Sequence, residues 1–284
     1  MQICYINGSF ENKSDALISV EDRGFNFSDG VYEVMSFSEE VLINFKKHLD
    51  RLKRSLKELR IRSPFKNFKS LELIIKKLIQ LNKVHSGYIY LQITRGTAPR
   101  NHLFPRSISP NLVIFTFSIK KDDNLIKKGV GIGLTKDKRW QRCDIKAISL
   151  LPNLLEKQNA FENGFYEIWQ IRNNHITEGS TSNAFIINSR DEIQTHSKNN
   201  LILGGVARDS TLEIAKKKKI KVIEKPFTVS NLENCKEAFL TSTTVGILPV
   251  VEVENKKINS GKPGLITKML IKGYNDYIYS QINE

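Results

Sequence analysis

Short strand-like apolar segments alternate irregularly with a smaller number of amphipathic helical segments along this chain. Residues 88–94 and 112–118 are rich in β-branched and aromatic side chains, which predicts strands. Residues 46–60 instead carry leucines at intervals of three and four, the spacing of one helix face. A doubly wound parallel sheet would need a regular strand–helix–strand repeat, and none occurs. The pattern therefore predicts an α+β fold.

The same patterns predict the other elements and a division of the chain. Strands are expected over residues 3–6, 16–20, 31–37, 41–43, 130–135, 165–171, 184–188, 221–224 and 238–241, and helices over residues 71–79, 154–163, 208–218 and 265–282. Residues 120–124 are polar and contain no apolar side chain that could anchor them in a core. A chain of 284 residues is long for one small domain. We therefore expect a smaller N-terminal domain over residues 1–119, a linker over 120–124 and a larger C-terminal domain over 125–284.

Charge and cysteine usage argue against several classes of protein. The net charge of +14 arises from 44 Lys and Arg residues against 30 Asp and Glu residues. These charges are spread along helical segments without the aromatic or motif context of a nucleic-acid reader, so no nucleic-acid partner is expected. Cys4, Cys143 and Cys235 are far apart and match no disulfide or metal-binding spacing. We therefore expect no bound metal.

Hydropathy argues against a membrane protein. No segment approaches the ~20 consecutive apolar residues that span a membrane. The first residues also lack the basic and apolar parts of a secretory signal peptide. We therefore expect a cytoplasmic protein with no membrane partner. Its positive charge suits an anionic cofactor and anionic substrates.

Three polar segments are candidates for anion binding. Residues 177–183 place the Glu178 carboxylate among hydroxyl and amide side chains, which suits either a binding site or an ordinary turn. Residues 203–208 form a glycine turn before a helix, whose N–H groups could hold a phosphate or simply start the helix. Residues 241–244 follow an apolar strand with hydroxyl side chains, which are either donors to the same anion or a plain strand end. Composition alone leaves both interpretations open for each segment.

A long loop and one lysine complete the candidates. Residues 95–110 contain Arg100 and His102. An arginine fork beside a second donor could grip a carboxylate, or both could be solvated loop side chains. Spacing does not identify a nucleophilic lysine. Lys146 differs from most of the others because it lies within the mainly apolar residues 145–151 rather than in a charged helix.

Several segments jointly resemble the pyridoxal-phosphate-dependent aminotransferases of fold type IV (class IV), most closely the D-amino-acid (D-alanine) aminotransferases. They are residues 21–25, 29–33, 48–52, 92–102, 142–146, 177–183, 202–208, 241–244 and 261–264. They occur in family order and extend over nearly the whole chain. The resemblance implies a two-domain homodimer that holds pyridoxal phosphate in the cleft between its domains.

The resemblance also implies roles for individual residues. Lys146 would form the Schiff base with the cofactor and then move the proton between the substrate α-carbon and the cofactor. Glu178 would keep the pyridine nitrogen protonated, which makes the ring an electron sink. The other implied roles are phosphate binding by Arg51, Val206, Ala207, Ser242 and Thr243, lining of the pocket by Tyr32, and binding of the substrate α-carboxylate by Arg100 and His102.

The Arg100 and His102 pair distinguishes the subfamilies. Branched-chain L-amino-acid aminotransferases and 4-amino-4-deoxychorismate lyases share the scaffold but usually lack this pair. The resemblance therefore implies ping-pong transfer from a D-amino acid such as D-alanine to a 2-oxo acid such as 2-oxoglutarate, giving pyruvate and D-glutamate. The other two activities are the alternatives. Ser28, Ser149, Ala207 and Gly246 depart from the family pattern, standing where glycine, asparagine, threonine and glutamate are usual.

Overall fold

The computed structural model describes residues 2–65, 67–119 and 122–283. By its internal contacts the chain divides into two compact units. The first contains Met1–Ile119 and Ile145–Ser149, and the second contains Lys120–Asp144 and Leu150–Glu284. A short piece of the expected second domain, Ile145–Ser149, therefore belongs to the first unit. Two residues of the expected linker, Lys120 and Lys121, lie outside the described residues.

Strands and helices are numbered here in chain order. The strands are β1 (Ile3–Ile6), β2 (Ser9–Asn12), β3 (Gly30–Ser38), β4 (Val41–Leu42), β5 (Ser86–Thr94), β6 (Asn111–Phe117), β7 (Val130–Lys136), β8 (Glu167–Arg172), β9 (His175–Gly179), β10 (Asn183–Ile187), β11 (Ile193–Thr195), β12 (Val222–Glu224), β13 (Phe227–Thr228), β14 (Glu237–Ser242), β15 (Gly246–Val253) and β16 (Lys256–Lys257). The helices are α1 (Arg23–Phe27), α2 (Phe45–Glu58), α3 (Phe68–Asn82), α4 (Asp123–Lys128), α5 (Leu151–Glu162), α6 (Val206–Lys217), α7 (Val229–Glu233) and α8 (Leu265–Ile282).

A six-stranded antiparallel sheet forms the centre of the first unit. Its strand order is β2-β1-β6-β5-β3-β4, and β3 pairs with β5 along its whole length. Helices α2 and α3 pack against this sheet because each has one apolar face. Leu52 of α2 and Leu71 of α3 are buried in the same core as Val31 and Ile89 of the sheet. This core holds β3 and α2 together, and both carry candidate site residues.

A mixed ten-stranded sheet forms the centre of the second unit. Its order is β12-β11-β10-β14-β15-β7-β8-β9-β13, with β16 paired to β15. β7 lies parallel to both of its neighbours, β15 and β8. One apolar cluster of this unit contains Trp169 and Phe227, and another contains Phe185 and Phe239 with residues of α6 and α8. Sheets and helices are thus combined without a regular repeat, which is the α+β architecture that the sequence predicts.

The long helices are predicted well, whereas the eight-residue strand β15 and several short elements are missed. α8 spans residues 265–282, as its periodicity predicts, and α2 and α3 lie close to their expected positions. The short elements α1, β9, β13 and β16 have too few residues to show a period. None of the helices in the described part of the chain is long and apolar enough to cross a membrane.

The strand predicted over residues 16–20 is wrong. The partner of β1 is instead β2, which immediately follows a tight turn. The turn residues Asn7 and Gly8 have φ values of 47° and 113°, which suits a short hairpin connection. Leu17 and Val20 are 83% and 79% exposed, and no described strand pairs with their segment. The turn at Asn7 and Gly8 therefore determines which segment pairs with β1, and the apolar content of residues 16–20 does not.

The expected linker contains the start of a helix. The Asp122 side chain accepts a hydrogen bond from the Asn124 N–H and caps α4. Lys127 and Lys128 lie in the last turn of the same helix, where its dipole favours positive charge. The polar composition of this region thus reflects a short, exposed, capped helix.

Gly246, at the start of β15, lies at a position that only glycine occupies easily. Its φ is 66°, and a Cβ built there would lie 3.0 Å from the Cε1 atom of Tyr274. We predict that Gly246→Ala lowers the free energy of unfolding by about 2–3 kcal/mol, since left-handed backbone alone costs a residue with a Cβ roughly 1–2 kcal/mol. Urea unfolding measures the effect.

Gly164 supplies the matched control for this substitution. Its φ is 75°, and a Cβ added there would meet nothing within 4 Å. Gly164→Ala should therefore show the backbone cost without the contact to an aromatic ring. Equal losses in the two variants would contradict the role of Tyr274.

Candidate active site

The backbone of Lys146 is held by a short antiparallel pairing with the start of β3. The Tyr32 N–H donates to the Lys146 carbonyl at 3.0 Å, and the Ile148 N–H donates to the Gly30 carbonyl at 3.1 Å. The Lys146 N–H donates to the Ser55 Oγ of α2 at 3.1 Å. These bonds fix Lys146 against both the sheet and the helix of the first unit.

The Lys146 amine lies over an aromatic ring. Its Nζ is 4.2 Å from the centroid of the Tyr32 ring. Tyr32 is itself stacked on Tyr90, with 5.8 Å between the ring centroids. Within residues 2–65, 67–119 and 122–283, Lys146 Nζ makes neither a hydrogen bond nor an ion pair. An amine without a carboxylate partner is available as a nucleophile or a base.

Arg51 is held by a buried carboxylate on β3. Its Nε donates to Glu33 Oε1 at 2.8 Å and its Nη2 donates to Glu33 Oε2 at 2.7 Å. His48, one turn earlier on α2, places Nδ1 2.8 Å from Glu33 Oε2. The two-bond fork fixes the plane of the guanidinium as well as its position.

Glu33 stays ionised in spite of its burial. Burial alone would raise the pKa of this carboxyl, but the charge and hydrogen bonds of Arg51, aided by His48, hold the pKa at about 2. Burial lowers the pKa of His48, with Glu33 opposing and Arg51 and Lys146 reinforcing the shift. His48 is therefore a neutral donor at pH 7, and the Glu33 charge is matched by Arg51.

The alternation of β3 contains a signal for a buried role of Glu33 that does not depend on the family resemblance. Glu33 lies on the same buried face of β3 as the apolar residues Val31, Met35 and Phe37. A carboxylate at a core-facing strand position needs a buried partner. That partner is Arg51, one of the residues implied by the family resemblance.

In the second unit, Glu178 at the end of β9 is enclosed by donors. Its Oε1 pairs with Nη1 of Arg139, and its Oε2 accepts from the Asn183 Nδ2 at 2.9 Å. Both oxygens lie 3.1 Å from the Leu203 N–H. Arg139 in turn donates from Nε to Asp137 at 3.0 Å. The sequence did not identify Arg139 or Asp137, which lie in a charged run with no distinguishing spacing.

The two buried carboxylates of this network titrate differently. Burial raises the pKa of Glu178 to about 7, and Arg139 offsets only part of that effect. Burial also acts to raise the pKa of Asp137, but two hydrogen bonds and the charge of Arg139 lower it overall. Arg139 remains protonated because these two carboxylates outweigh the effect of its own burial and raise its pKa. Glu178 is thus a carboxylate that additional positive charge nearby would fully ionise.

The hydroxyl residues after Glu178 have a structural role. Ser180, Thr181 and Ser182 direct their hydroxyls to the carboxylate of Glu167, which also accepts the N–H groups of Ser180 and Thr181. This arrangement fixes the turn between β9 and β10. The turn interpretation of residues 177–183 is therefore confirmed, since the hydroxyls form the turn that carries Glu178 and Asn183, and the binding-site interpretation stays a prediction.

The glycine turn and the hydroxyl segment meet at Asn183. Its Nδ2 donates to the Leu203 carbonyl at 2.9 Å, and Asn183 lies opposite Thr241 in the β10–β14 pairing. Gly205 is the cap residue that precedes α6, and a Cβ there would lie 2.1 Å from Asn183 Oδ1. Asn183 thus connects the segments that carry four residues implied at the phosphate: Val206, Ala207, Ser242 and Thr243.

This corner of the second unit has donors that suit an anion. The cap residue of α6, Gly205, has no side chain to accept from the first N–H groups of the helix. The buried Thr241 Oγ1 has no hydrogen-bond partner among the described residues. Free N–H groups at a helix start beside hydroxyls are a known setting for phosphate.

Arg100 and His102 lie together in the first unit, on the loop between β5 and β6. Both are exposed. The Arg100 guanidinium carbon is 4.9 Å from the centroid of the Phe27 ring, and the His102 ring centroid is 5.4 Å from it. The two residues thus share one aromatic neighbour at the end of α1.

Comparison with known proteins identifies relatives along almost the whole chain. The family model described as amino-transferase class IV matches residues 30–253. The D-alanine aminotransferase of Staphylococcus epidermidis is 37% identical over 97% of this chain and 98% of its own. That of Bacillus licheniformis is 36% identical over 97% and 96%, and that of Staphylococcus aureus is 37% identical over 99% of both.

Solved structures of lower identity share the fold. The branched-chain amino acid aminotransferase of Escherichia coli superposes with a TM-score of 0.92 over 99% of this chain and 95% of its own, at 22% identity. The enzyme of the same name from Thermoproteus uzoniensis gives a TM-score of 0.89 over the same shares, also at 22% identity. The family match and the full-length relatives show that the chain belongs to the class IV aminotransferases, the pyridoxal-phosphate-dependent enzymes of fold type IV.

Proposed function

We propose that this protein transfers an amino group from a D-amino acid such as D-alanine to a 2-oxo acid such as 2-oxoglutarate, giving pyruvate and D-glutamate. One observation carries the choice of substrate. Full-length relatives at 35–37% identity bear the name D-alanine aminotransferase. Arg100 and His102, side by side on one loop, support it because a cationic fork and a second donor suit an α-carboxylate.

The branched-chain enzymes support only the scaffold. They are 22% identical to this chain, which is enough for a common fold and too little for a common substrate. A branched-chain L-amino-acid aminotransferase or a 4-amino-4-deoxychorismate lyase is therefore the alternative activity on the same fold.

The side chains present fit pyridoxal phosphate. The cofactor, when bound, supplies an aldehyde that reacts with an amine and a ring that accepts electrons. Among the described residues the Lys146 amine has no ion pair, which suits the aldehyde. The Thr241 hydroxyl, which has no partner among those residues, and the N–H groups at the start of α6 suit the phosphate. The Glu178 carboxyl, with a pKa near 7, suits a protonated ring nitrogen.

Lys146 acts first as the attachment point and then as the base. With the cofactor bound, its Nζ would move the proton between the substrate α-carbon and the cofactor, taking it from the one and delivering it to the other. The aromatic face of Tyr32 holds this amine without neutralising it. The backbone bonds of Lys146 to β3 keep its position through both half-reactions.

Glu178 would keep the ring nitrogen of the cofactor protonated. Arg139 and the Leu203 N–H orient the carboxylate, and a cationic ring nitrogen beside it would lower the pKa of Glu178 and keep it ionised. The phosphate is assigned to Arg51, to the N–H groups of Val206 and Ala207, and to Ser242 and Thr243. Ala207 retains its N–H but lacks the hydroxyl of the usual threonine, at a cost of about 1 kcal/mol of binding.

We also infer a homodimer and a cytoplasmic location. Large apolar side chains of α5 are exposed, including Leu151, Leu154 and Phe161 at 67%, 60% and 76%. Such a group supports contact with a second copy of the chain. The three cysteines are free and buried, as is usual in a reducing compartment.

A panel of amino donors tests the substrate. We expect turnover with D-alanine and 2-oxoglutarate, and rates at least about 100-fold lower with L-alanine or L-leucine, since a misplaced reacting centre alone costs about that factor. Coupled detection of pyruvate and chiral analysis of glutamate measure both products. Turnover with L-leucine but not with D-alanine would support the branched-chain alternative, and release of pyruvate from aminodeoxychorismate would support the lyase.

Substitution of Lys146 tests its double role. We expect Lys146→Ala to lower kcat at least about 10³-fold, because the proton-transfer step alone contributes ~10²–10⁴-fold. Borohydride treatment of the wild type should leave the cofactor mass on the peptide that contains Lys146, and this modification should be absent from the variant.

Lys13 provides the matched control, because its Nζ lies 4.3 Å from the centroid of the Phe115 ring in the same unit. Lys13→Ala should leave both the rate and the modified peptide unchanged. Cofactor mass on a different lysine of the wild type would show that Lys146 has been misassigned.

Removal of Arg139 should change the titration of Glu178. In the cofactor-free protein we expect Arg139→Gln to raise the pKa of Glu178 above its value of about 7, because burial is then less opposed. Carbon-13 NMR of the glutamate carboxyls measures this shift, with the signal assigned through Glu178→Gln.

The raised pKa of Glu178 should also make the stability of the cofactor-free protein depend on pH. Because the folded pKa of about 7 exceeds the ordinary value of 4.5, ionisation of Glu178 weakens the cofactor-free fold as the pH rises between these values. Arg139→Gln should extend that loss to higher pH, whereas Arg139→Lys should do so less. Arg190→Gln, at a side chain 76% exposed, is the control. An unchanged Glu178 titration in Arg139→Gln would contradict the assignment.

A further inference from the structure

Phe27 lies at the point where α1 meets the long loop of the first unit. Its ring contacts the Arg100 guanidinium and the His102 ring, as described above, and the Arg23 guanidinium carbon lies 4.8 Å from its centroid. α1 is anchored at its start, because Asp22 accepts from the Gly24 and Phe25 N–H groups. The Phe27 ring is therefore part of the anchored helix α1 and not of the loop that carries Arg100 and His102.

Arg23 ties the same stretch of loop to α1. It is only 3% exposed, its Nη1 donates to the Asn101 carbonyl at 2.5 Å, and its Nε donates to Asp29 at 2.9 Å. Asn101 is the residue between Arg100 and His102. The backbone between the two side chains is thus bonded to one side of α1 while both side chains lie against Phe27.

A second anchor holds both flanks of this stretch. Arg95 donates two hydrogen bonds to Asp29, at 2.7 and 2.9 Å, and others to the carbonyls of Leu59 and Arg60. The Phe104 ring lies over the Arg95 guanidinium at 3.6 Å. Arg23 and Arg95 therefore fix the backbone around residues 100–102, and the Phe27 ring contacts the side chains of Arg100 and His102.

The contact with Phe27 leaves the donors of Arg100 available. In the described part of the chain Arg100 has no hydrogen bond and no ion pair. A guanidinium held over a ring by a cation–π contact keeps its N–H groups available for a carboxylate. This contact also restricts a long side chain before the ligand arrives, which lowers the entropic cost of binding.

We propose that Phe27 is a positioning residue for the substrate carboxylate, which holds Arg100 and His102 in the orientation that grips it. This inference rests on the proposed function, in which those two residues bind the α-carboxylate. The same carboxylate is present on the amino donor and on the 2-oxo acid acceptor. Loss of the ring therefore raises KM for both substrates together and leaves the chemical step alone.

Kinetics of Phe27→Leu and Phe27→Tyr test this role in the cofactor-loaded enzyme. Phe27→Leu keeps an apolar side chain but removes the aromatic face, and should raise both KM values about 2- to 5-fold with kcat within about 2-fold, as expected for loss of an exposed cation–π contact. Phe27→Tyr keeps the face and should restore both KM values. Phe10→Leu, which removes the ring packed on Tyr5 elsewhere in the unit, is the control and should change neither.

The double variant separates positioning from general damage. Arg100→Gln alone should raise both KM values, and adding Phe27→Leu to it should cause little further increase, because the ring acts through Arg100. The cofactor absorbance and the urea midpoint should match those of the wild type in every variant. A Phe27→Leu effect that multiplies with Arg100→Gln, or that falls on kcat, would overturn the proposal.

The kinetics of Arg100→Gln distinguish failure of the proposed function from failure of the positioning role of Phe27. If Arg100→Gln leaves KM unchanged, the carboxylate grip itself is misassigned and the role of Phe27 is lost with it. If Arg100→Gln raises KM while Phe27→Leu does not, the grip stands and only the positioning role is wrong.

Discussion

The pairing of residues 146–148 with the start of β3 is the constraint on which the candidate site depends. Two backbone hydrogen bonds, between Tyr32 and Lys146 and between Ile148 and Gly30, place five residues in the first unit although their neighbours on both sides belong to the second. Backbone bonds are obligatory for a buried segment, so this position does not depend on the side chain of Lys146. The amine therefore needs no hydrogen-bond partner to hold it, and it has none among the described residues, because backbone atoms fix the position of Lys146.

The protein uses two buried glutamates in opposite ways. Glu33 receives both the guanidinium fork of Arg51 and a donor from His48, and its pKa lies at about 2. Glu178 also faces an arginine, but Arg139 divides its bonds between Glu178 and Asp137, and the pKa of Glu178 remains near 7. The difference follows from the charges around each carboxylate. Arg51 gives Glu33 two hydrogen bonds, whereas Arg139 gives Glu178 one and the nearby charge of Asp137 raises the pKa of Glu178. Glu33 is ionised at neutral pH and suits a permanent ion pair with Arg51. Glu178 has a pKa near 7, so a cation placed beside it would change its ionisation.

Much of the fold follows from the sequence, whereas the supports of the site follow from it only in part. The period of α8 and the alternation of β3 are long enough to be recognised, and alternation alone marks Glu33 as a buried charge. No sequence pattern identifies Arg139 as buried, because a run of charged residues has the same pattern whether its side chains are exposed to solvent or buried. The segment at residues 16–20 is misread for a related reason, since its apolar content resembles a strand while the Asn7–Gly8 turn already supplies the partner of β1.

The sequence by itself determined the α+β class, the long helices, and the order of segments that mark a class IV aminotransferase. These depend on local periodicity and on motif order, which are properties of the linear chain. Only the tertiary structure decided that Lys146 belongs with β3, that Glu33 faces Arg51, that Arg139 reaches Glu178, and that Phe27 supports Arg100. Each of these contacts joins residues that are separated along the chain, and their meeting depends on sheet pairing and core packing that no local pattern encodes.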